Sequence, residues 1–323
     1  MGRYLITGAA GFIGARTSQL LIEAGHTVVG IDNLNHAYDP RLKEYRLKQL
    51  QAQKGFTFHQ RDISEKAVIE LFKDEKFDGV INLAARAGVR YSVEDPWVFL
   101  ESNILGTLNM LEVCRQYGCR KFVLASTSSI YGDDPPYPTP ENASSSEPMQ
   151  PYAASKKGAE VLAHSYHHLY GIDVTVVRYF TVYGPAGRPD LAMFRFVQWI
   201  SEGRPVRIHG DGNQSRGFTY IDDIARGTIA ALQPLGYEIV NLGGHEVITI
   251  NQLVEMIEEL TGGQAQVEFG PPNLADMFTN QADVTKARNL LGWNPQVNLR
   301  EGLRNLIAWY NAEREWAKDI LTP

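Results

Sequence analysis

Cysteine is nearly absent from this sequence: Cys114 and Cys119 are the only two in 323 residues. They form no CxxC motif, and they supply no disulfide framework of the kind that small secreted folds use. A reducing compartment is the simplest interpretation, and we expect the protein to be cytoplasmic.

Long apolar runs and an excess of positive charge are also missing. No run is long enough to cross a membrane, and the opening MGRYLITGAAG lacks the apolar core of a secretory signal. The formal net charge of −6 gives no overall attraction to nucleic acid or to an anionic membrane. We expect neither as a partner, so an anionic ligand must be bound by local groups.

Short β-type runs alternate with helical patterns through the first half of the chain. The runs are RYLIT, HTVVGID, FTFHQ, GVINLAA, KFVLAS and DVTVVRYF. This alternation predicts a doubly wound α/β fold, in which helices cover both faces of a parallel sheet. Ligands of such sheets bind at the carboxyl ends of the strands, which is where the motifs below occur.

The alternation of β-type runs and helical patterns ends after Gly184, where prolines separate shorter segments. We predict a nucleotide-binding domain over residues 1–182 and a smaller, mixed substrate-binding domain over residues 183–323. Within the latter, residues 216–244 have the pattern of a strand and a helix that return to the large domain. A final helix of about 20 residues is expected from Leu299.

A dinucleotide site of the Rossmann type is predicted at the first strand. TGAAGFIG places Gly8, Gly11 and Gly14 between that strand and a helix, where backbone N–H groups can meet a pyrophosphate. Asp32 follows the second strand and suits the adenosine ribose hydroxyls, which favours NAD over NADP; the alternative is a strand-end cap. Further predicted cofactor contacts are Phe12, Ile13, Asn33, Asp62, Ile63, Ala84, Ala85, Asn103, Tyr152 and Lys156.

The segment PYAASKKG places Tyr152 and Lys156 on one face of a predicted helix. A tyrosine pKa of about 10 is too high for a base at neutral pH. A nearby ammonium and a cationic nicotinamide would both lower it, so the pair can serve as a general base. An exposed helix pair is the alternative, since Tyr-x-x-x-Lys is common by chance. No metal is expected.

The motifs together resemble those of a known family. TGAAGFIG, LAARAGVRYS, ASTSSIYG, PYAASK, RYFTVYGPAGRPD and RGFTYIDDI occur in this order. As a set they resemble the extended short-chain dehydrogenase/reductase family and, within it, the nucleotide-sugar epimerases. The resemblance implies an isomerase in which Thr127 partners Tyr152. Tyr152 would take the proton of the sugar O4 while a hydride leaves C4, and the 4-keto sugar would turn before the hydride returns.

Two positions indicate the sugar and the reaction. Relatives that dehydrate or decarboxylate resemble T-D-E or T-S-E where this chain has Thr127, Ser128 and Ser129. Epimerases of neutral sugars resemble RYFN, whereas the form with Thr181 is similar to UDP-glucuronate 4-epimerases. Thr127, Ser128 and Thr181 can supply neutral hydroxyl donors, and we expect Ser128 to hold the substrate carboxylate loosely enough for the sugar to be released and to turn. Ser126 and Ser129 are also compatible with turn or packing roles.

Cations and one acid are expected around the rest of the substrate. The resemblance implies that Arg216 meets the diphosphate, that Asp276 contacts the uridine ribose, and that Arg90 and Arg188 meet phosphate or carboxylate. A surface salt bridge is the alternative for each arginine. The chain departs from the family at three positions, where Asn82, Ala186 and Gly217 replace a common histidine, tryptophan and aspartate.

An apolar helix pattern, VFLESNILGTLNMLEV, indicates burial on more than one side. We expect it to form a homodimer interface, with burial inside the domain as the alternative.

Three other functions stay open: a 4-epimerase of UDP-glucose or UDP-N-acetylhexosamine, a UDP-glucuronate decarboxylase, and an NAD-sensing scaffold on the same fold.

Overall fold

A computed structural model describes residues 1–271 and 279–322. Its strands are β1 (Arg3–Thr7), β2 (Thr27–Asp32), β3 (Phe56–Gln60), β4 (Gly79–Asn82), β5 (Lys121–Thr127), β6 (Asp173–Tyr179), β7 (Thr181–Tyr183), β8 (Pro205–His209), β9 (Ser215–Tyr220), β10 (Tyr237–Leu242), β11 (Glu246–Thr249) and β12 (Gln266–Gly270). Its α-helices are α1 (Phe12–Glu23), α2 (Arg41–Gln51), α3 (Tyr91–Glu94), α4 (Trp97–Phe99), α5 (Gly106–Tyr117), α6 (Pro151–Tyr170), α7 (Ala192–Ser201), α8 (Ile221–Ala230), α9 (Ile250–Thr261), α10 (Thr285–Leu291), α11 (Leu299–Ala312) and α12 (Arg314–Ala317).

The main sheet has seven strands within the described residues, in the order β10-β6-β5-β4-β1-β2-β3. Every neighbouring pair is parallel. Strands β2 and β3 follow β1 on one side of the sheet, whereas β4, β5, β6 and β10 follow one another on its other side. This reversal opens a crevice at the carboxyl ends of β1 and β4, where such folds bind ligands. The predicted doubly wound fold is confirmed.

Helices bury both faces of this sheet, as its near-continuous apolar strands require. Alternate strand residues enter different cores: Leu5 and Val80 join one, and Ile6 and Ile81 join the other. All four are fully buried. The sheet is therefore a rigid base, and it holds the loops at its carboxyl edge in place.

The smaller sheets lie in the second half of the chain. β11, β9 and β7 form a mixed sheet of three strands, and β12 pairs with β8 in parallel. The expected return of residues 216–244 to the large domain takes a different form, because the strand β9 pairs in the small sheet. Only the following helix and strand return, with α8 packing against α1 and β10 pairing with β6.

The apolar pattern before Gly118 is helical, as predicted, and consists of α4, a π-helical turn (Leu100–Leu105) and α5 in direct succession. The predicted length of the last helix differs from the structure. The last helix, α11, has 14 residues and is followed by the separate turn α12. Among the described residues, no helix is both long and apolar enough to span a membrane.

Candidate active site

The glycine-rich loop after β1 passes close to the backbone after β4. Gly8 has a φ of 67°, and a Cβ there would lie 2.8 Å from the backbone nitrogen of Ala84. A Cβ at Gly14 would lie 2.1 Å from the carbonyl oxygen of Gly8. Larger residues would therefore displace the loop. No side chain caps the first turn of α1, so its N–H groups are available to an anion in the crevice.

Asp32 ends β2 beneath this loop and is 6% exposed. Its carboxylate accepts hydrogen bonds from the backbone N–H groups of Ala10 at 3.2 Å and Leu34 at 2.8 Å. Lys43 of α2 reaches the same carboxylate at 3.4 Å and also donates to Asn35 at 3.0 Å. Asp32 thus braces the loop and also lines the cavity, and its contact with the adenosine ribose stays a prediction.

Sequence reasoning missed Lys43, although a signal was available. α2 buries Leu42, Leu47 and Leu50, and Lys43 and Arg46 are buried beside them. A cation on the apolar face of a helix indicates a specific partner, since burial of an unpaired charge is costly. That partner is Asp32 for Lys43, and for Arg46 it is a set of carbonyl oxygens described below.

Asp62, after β3, forms the far wall of the cavity. It accepts hydrogen bonds from Asn33 at 2.6 Å and from the backbone and hydroxyl of Ser64 at 2.8 and 2.7 Å. Burial opposes ionisation here, but these bonds outweigh it and lower the pKa of Asp62. A charged acceptor is thus maintained beside Ile63 at the adenine end of the predicted site.

Tyr152 and Lys156 lie on the first two turns of α6, facing the cavity. The Tyr152 ring packs edge-on against Phe99 at 6.0 Å between centroids. Burial raises the pKa of Tyr152, while a hydrogen bond with Thr127 and the charge of Arg188 oppose that rise. Burial also lowers the pKa of Lys156 to about 8, against the attraction of Glu160.

The expected effect of Lys156 on the pKa of Tyr152 stays a prediction. Two other charged groups also act on the phenol: Arg188 lowers its pKa and Asp190 raises it. Burial is the larger effect, so the protein groups alone do not bring the phenol into the neutral range. The cationic nicotinamide ring of the expected cofactor would supply further positive charge.

The four hydroxyls at the end of β5 have different surroundings. Ser126 donates to Glu160 at 2.6 Å on the buried side. Thr127 donates to the Ser129 hydroxyl at 3.2 Å and accepts from the Ser129 N–H at 3.2 Å. Ser128 accepts a bond of 3.2 Å from Asn280. All four hydroxyl residues line the cavity, and Asn280 is a further lining residue for which the sequence offered no signal.

Asn103 does not line the cavity, and its predicted contact with the cofactor stays a prediction. Its amide accepts from the N–H of Arg86 at 2.8 Å and donates to the Arg86 carbonyl at 3.0 Å and to Ser155 at 2.8 Å. It is 1% exposed. Asn103 thus ties the loop after β4 to α6, which supports both cavity walls from behind.

The three arginines predicted to contact the substrate have different surroundings. Arg188 lines the cavity and pairs with Asp190, with its nearest contact at 2.5 Å. Arg90 lies near His209 at 3.2 Å, and Arg216 donates to the Ser215 carbonyl at 2.7 Å; neither belongs to the cavity lining. Asp276 lies outside the described residues.

The departures from the family pattern fit their surroundings. A Cβ at Gly217 would lie 2.4 Å from the Gly244 carbonyl oxygen, so a side chain there would clash with backbone. Asn82 accepts from Thr7 at 2.7 Å and donates to Thr107 at 3.0 Å. The same Thr7 hydroxyl accepts from the Ala84 N–H at 2.9 Å, which holds the loop where the cofactor is expected.

These walls enclose a cavity of about 410 Å³. Its lining includes Gly8, Gly11, Phe12, Ile13, Gly14, Asp32, Asn33, Asp62, Ile63, Ala84, Ala85, Ser126, Thr127, Ser128, Ser129, Tyr152, Lys156, Thr181, Arg188 and Asn280. One end offers bare N–H groups and two carboxylates, and the other offers hydroxyls and a tyrosine. The glycine cradle and the carboxylates fit a dinucleotide, and the hydroxyl end fits a polar ligand beside its reactive ring.

Comparisons with known proteins agree with this geometry. Residues 4–243 match the NAD dependent epimerase/dehydratase family. A UDP-glucuronate 4-epimerase from Thermodesulfobacterium geofontis is 53% identical over 323 residues, covering 99% of each chain. The crystal structure of a Bacillus cereus UDP-glucuronic acid 4-epimerase with UDP-glucuronic acid and NAD superposes with a TM-score of 0.90 at 36% identity, covering 96% of this chain and 99% of that one. A Thermotoga maritima UDP-glucose 4-epimerase with UDP-glucose also reaches 0.90, at 32% identity and 97% and 99% coverage.

Proposed function

Because this chain belongs to the NAD dependent epimerase/dehydratase family, we propose that it is an isomerase that inverts C4 of UDP-glucuronate to give UDP-galacturonate. The structural observation that carries the proposal is the group of neutral hydroxyls beside Tyr152. Thr127, Ser128, Ser129 and Thr181 share the cavity with this tyrosine. The relatives named UDP-glucuronate 4-epimerase support the same substrate.

NAD is the cofactor, and it supplies the hydride acceptor and donor for C4. The pyrophosphate would bind at the N-terminus of α1 over Gly8, Gly11 and Gly14. Asp32 would accept hydrogen bonds from the adenosine ribose, and Asp62 with Ile63 would bind at the adenine edge. An anion at Asp32 disfavours the 2′-phosphate of NADP, although Lys43 beside it partly offsets the repulsion.

Tyr152 would accept the proton of the sugar O4 and return it after the sugar has turned. Thr127 lies close enough to the phenol to act on its pKa, and it would place a second hydroxyl within reach of the same sugar oxygen. Lys156, a turn away, adds positive charge that favours the phenolate. The C4 centre inverts because the 4-keto sugar presents its other face when the hydride returns.

The substrate carboxylate would lie among Ser128, Ser129 and Thr181, with Arg188 at the cavity wall. Arg188 is already paired with Asp190, so its net attraction for a second carboxylate is reduced. Neutral donors suit a sugar that must be released and rebound within one turnover. No acidic side chain stands at position 129, which argues against the alternative of a decarboxylase.

A neutral-sugar 4-epimerase is the second candidate function, favoured by one observation. The Thermotoga maritima UDP-glucose 4-epimerase superposes as well as the uronate enzyme does, with a TM-score of 0.90 in both cases. The backbone therefore does not discriminate between the two substrates. Thr181, in place of the asparagine typical of neutral-sugar enzymes, favours the uronate.

The remaining site and domain assignments are also proposals. Arg216 would meet the diphosphate and Asp276 the uridine ribose, while Arg90 would meet phosphate or carboxylate. The large domain would comprise residues 1–182 with the α8–β10 return, and the rest would bind the UDP-sugar. The buried state of both free cysteines is compatible with a reducing, cytoplasmic location.

We also propose a homodimer that forms through α4, α5 and α6. Apolar side chains are exposed on α4 and α6, on either side of α5 in the sequence, and include Trp97 at 70%, Val161 at 57% and Leu169 at 65%. A row of exposed apolar groups indicates an interface. Sedimentation should give a dimer for the wild type and a monomer for Val161→Arg, and a wild-type monomer at micromolar concentration would contradict the proposal.

Deuterium tracing tests the proposed chemistry. UDP-[4-²H]glucuronate should yield UDP-galacturonate that keeps the label at C4, because the same hydride returns. Tyr152→Phe should lose at least about 100-fold in kcat, since it cannot take the proton. Label lost to water, or a Tyr152→Phe variant of unchanged rate, would contradict the mechanism.

A further inference from the structure

Arg46 of α2 lies behind the active-site cavity with all three guanidinium nitrogens engaged. It is 5% exposed. Its Nε donates to the Ala186 carbonyl at 2.9 Å, and Nη2 donates to the same oxygen at 2.5 Å and to the Gly187 carbonyl at 3.2 Å. Its Nη1 donates to the Ala10 carbonyl at 3.1 Å and to the Tyr38 hydroxyl at 2.8 Å.

These partners belong to three separate walls of the cavity. Ala10 lies in the glycine-rich loop between Gly8 and Gly11. Tyr38 lines the adenosine side of the cavity. Ala186 and Gly187 lead directly into Arg188, whose charge acts on Tyr152. One buried cation therefore joins the cofactor loop to the segment that carries the substrate-side arginine.

The backbone of Ala186 requires such support. Its φ of 51° lies in the left-handed region, which a residue with a Cβ adopts only when its surroundings impose it. The two N–H groups of Arg46 that converge on its carbonyl provide that constraint. The guanidinium also faces the rings of Phe12 at 5.7 Å and Tyr38 at 5.6 Å, which limits its rotation.

We propose that Arg46 is a positioning residue of the enzyme. It holds the segment from Ala186 to Arg188 against the glycine-rich loop, so that NAD retention and sugar binding depend on the same guanidinium. The sugar half of this inference rests on the proposed function, whereas the NAD half rests on the family alone. A lysine cannot replace the arginine, because a single ammonium lacks the planar fork that reaches all three walls.

A second cavity makes the proposal testable by chemical rescue. It has a volume of about 220 Å³ and is lined by Arg46 together with Phe12, Ala186 and Arg16. Guanidinium ion can therefore enter the space that Arg46→Ala would leave. Arg16 is the matched control, because it lines the same cavity but pairs with Asp222 at 2.7 Å.

The experiment measures the NAD that copurifies per folded monomer, together with kcat and KM for UDP-glucuronate. Arg46→Ala should retain at least about tenfold less NAD and show a raised KM, and millimolar guanidinium should restore both in a saturable manner. Arg46→Lys preserves the charge and should show an intermediate loss. It serves as the second variant if Arg46→Ala fails to fold. Arg16→Ala should keep wild-type NAD content and gain nothing from guanidinium.

Wild-type NAD content and KM in Arg46→Lys or Arg46→Ala would overturn the proposal. So would a loss in a folded Arg46→Ala variant that guanidinium does not reverse. An error in the proposed sugar would appear instead in the wild type, as turnover of a different UDP-sugar with the NAD readout unchanged.

Discussion

Glu160 accepts two hydrogen bonds from Arg178, at 3.0 Å from Nε and 2.8 Å from Nη2, with both side chains 2% exposed. Glu160 lies one turn after Lys156 on α6, and its charge partly offsets the burial that lowers the pKa of that lysine. Ser126 donates to the same carboxylate. The ion pair thus links β6, the hydroxyl run at the end of β5 and α6, the helix that carries Tyr152 and Lys156.

The first prediction concerns the stability that this pair provides. Arg178→Met should reduce the free energy of unfolding by about 3–5 kcal/mol, because it leaves the Glu160 carboxylate buried without its partner. Arg178→Met with Glu160→Gln should recover much of that loss. Urea unfolding measures both variants, and a loss below about 1 kcal/mol in the single variant would contradict the interpretation.

The same pair predicts a loss of stability in acid. Burial opposes ionisation of Glu160, but the hydrogen bonds and charge of Arg178 lower its pKa below the usual value. A lowered carboxyl pKa contributes stability that is complete above the pKa of the unfolded chain and is lost as pH falls through the folded value. Proton uptake on unfolding below pH about 4 should therefore be smaller in Glu160→Gln than in the wild type.

The second prediction concerns pH and catalysis. With a pKa of about 8, Lys156 loses its charge as pH rises above that value. Tyr152 then has less support for its phenolate, so kcat should fall on the alkaline side. Lys156→Met should lower kcat throughout and remove this alkaline limb. Its neighbour Lys157, which pairs with Glu160 at 3.4 Å, is the control, and Lys157→Met should keep the limb.

The third prediction concerns the carboxylate of Asp32. Asp32→Asn removes an acceptor of charge-assisted bonds, so the affinity for NAD should fall about 10- to 100-fold. The loss of repulsion beside Lys43 should at the same time improve binding of NADP. Titration of cofactor into stripped enzyme measures both affinities. An unchanged preference for NAD in Asp32→Asn would show that another group selects the cofactor.

The sequence was sufficient to predict the main sheet and its ligand edge. Its central strands are continuous apolar runs, and the glycine loop, Asp32, Tyr152 and Lys156 follow elements whose ends the pattern marks clearly. Side chains that lie close in space but far apart in sequence were harder to predict. Asn103 supports the site from behind, and its spacing alone could not show that.

Asn280 is the clearest example of a cavity residue that the sequence could not predict. It approaches Ser128 across 152 positions of sequence, and no periodic pattern connects the two residues. Lys43 and Arg46 could have been predicted more easily, because cations on the apolar face of α2 require buried partners. β9 pairs with strands of a second sheet, and the local residue pattern does not specify which sheet a strand joins.

The fourth prediction concerns Ser128 and its support by Asn280. Ser128→Ala should raise KM for UDP-glucuronate about tenfold, with little effect on UDP-glucose, because only the uronate loses a donor. Asn280→Ala should have a smaller effect in the same direction. Release of UDP-4-keto-pentose should also increase in Ser128→Ala, since a loosely held β-keto acid loses CO₂ more readily. Equal effects on both sugars would contradict a carboxylate role.

The most direct measurement is a product assay on the purified protein without added cofactor. UDP-glucuronate is incubated with the enzyme and the nucleotide sugars are separated by anion exchange. UDP-galacturonate is the predicted product, formed with retained NAD that each turnover regenerates. UDP-xylose or its 4-keto precursor, or turnover of UDP-glucose with none of UDP-glucuronate, would contradict the account.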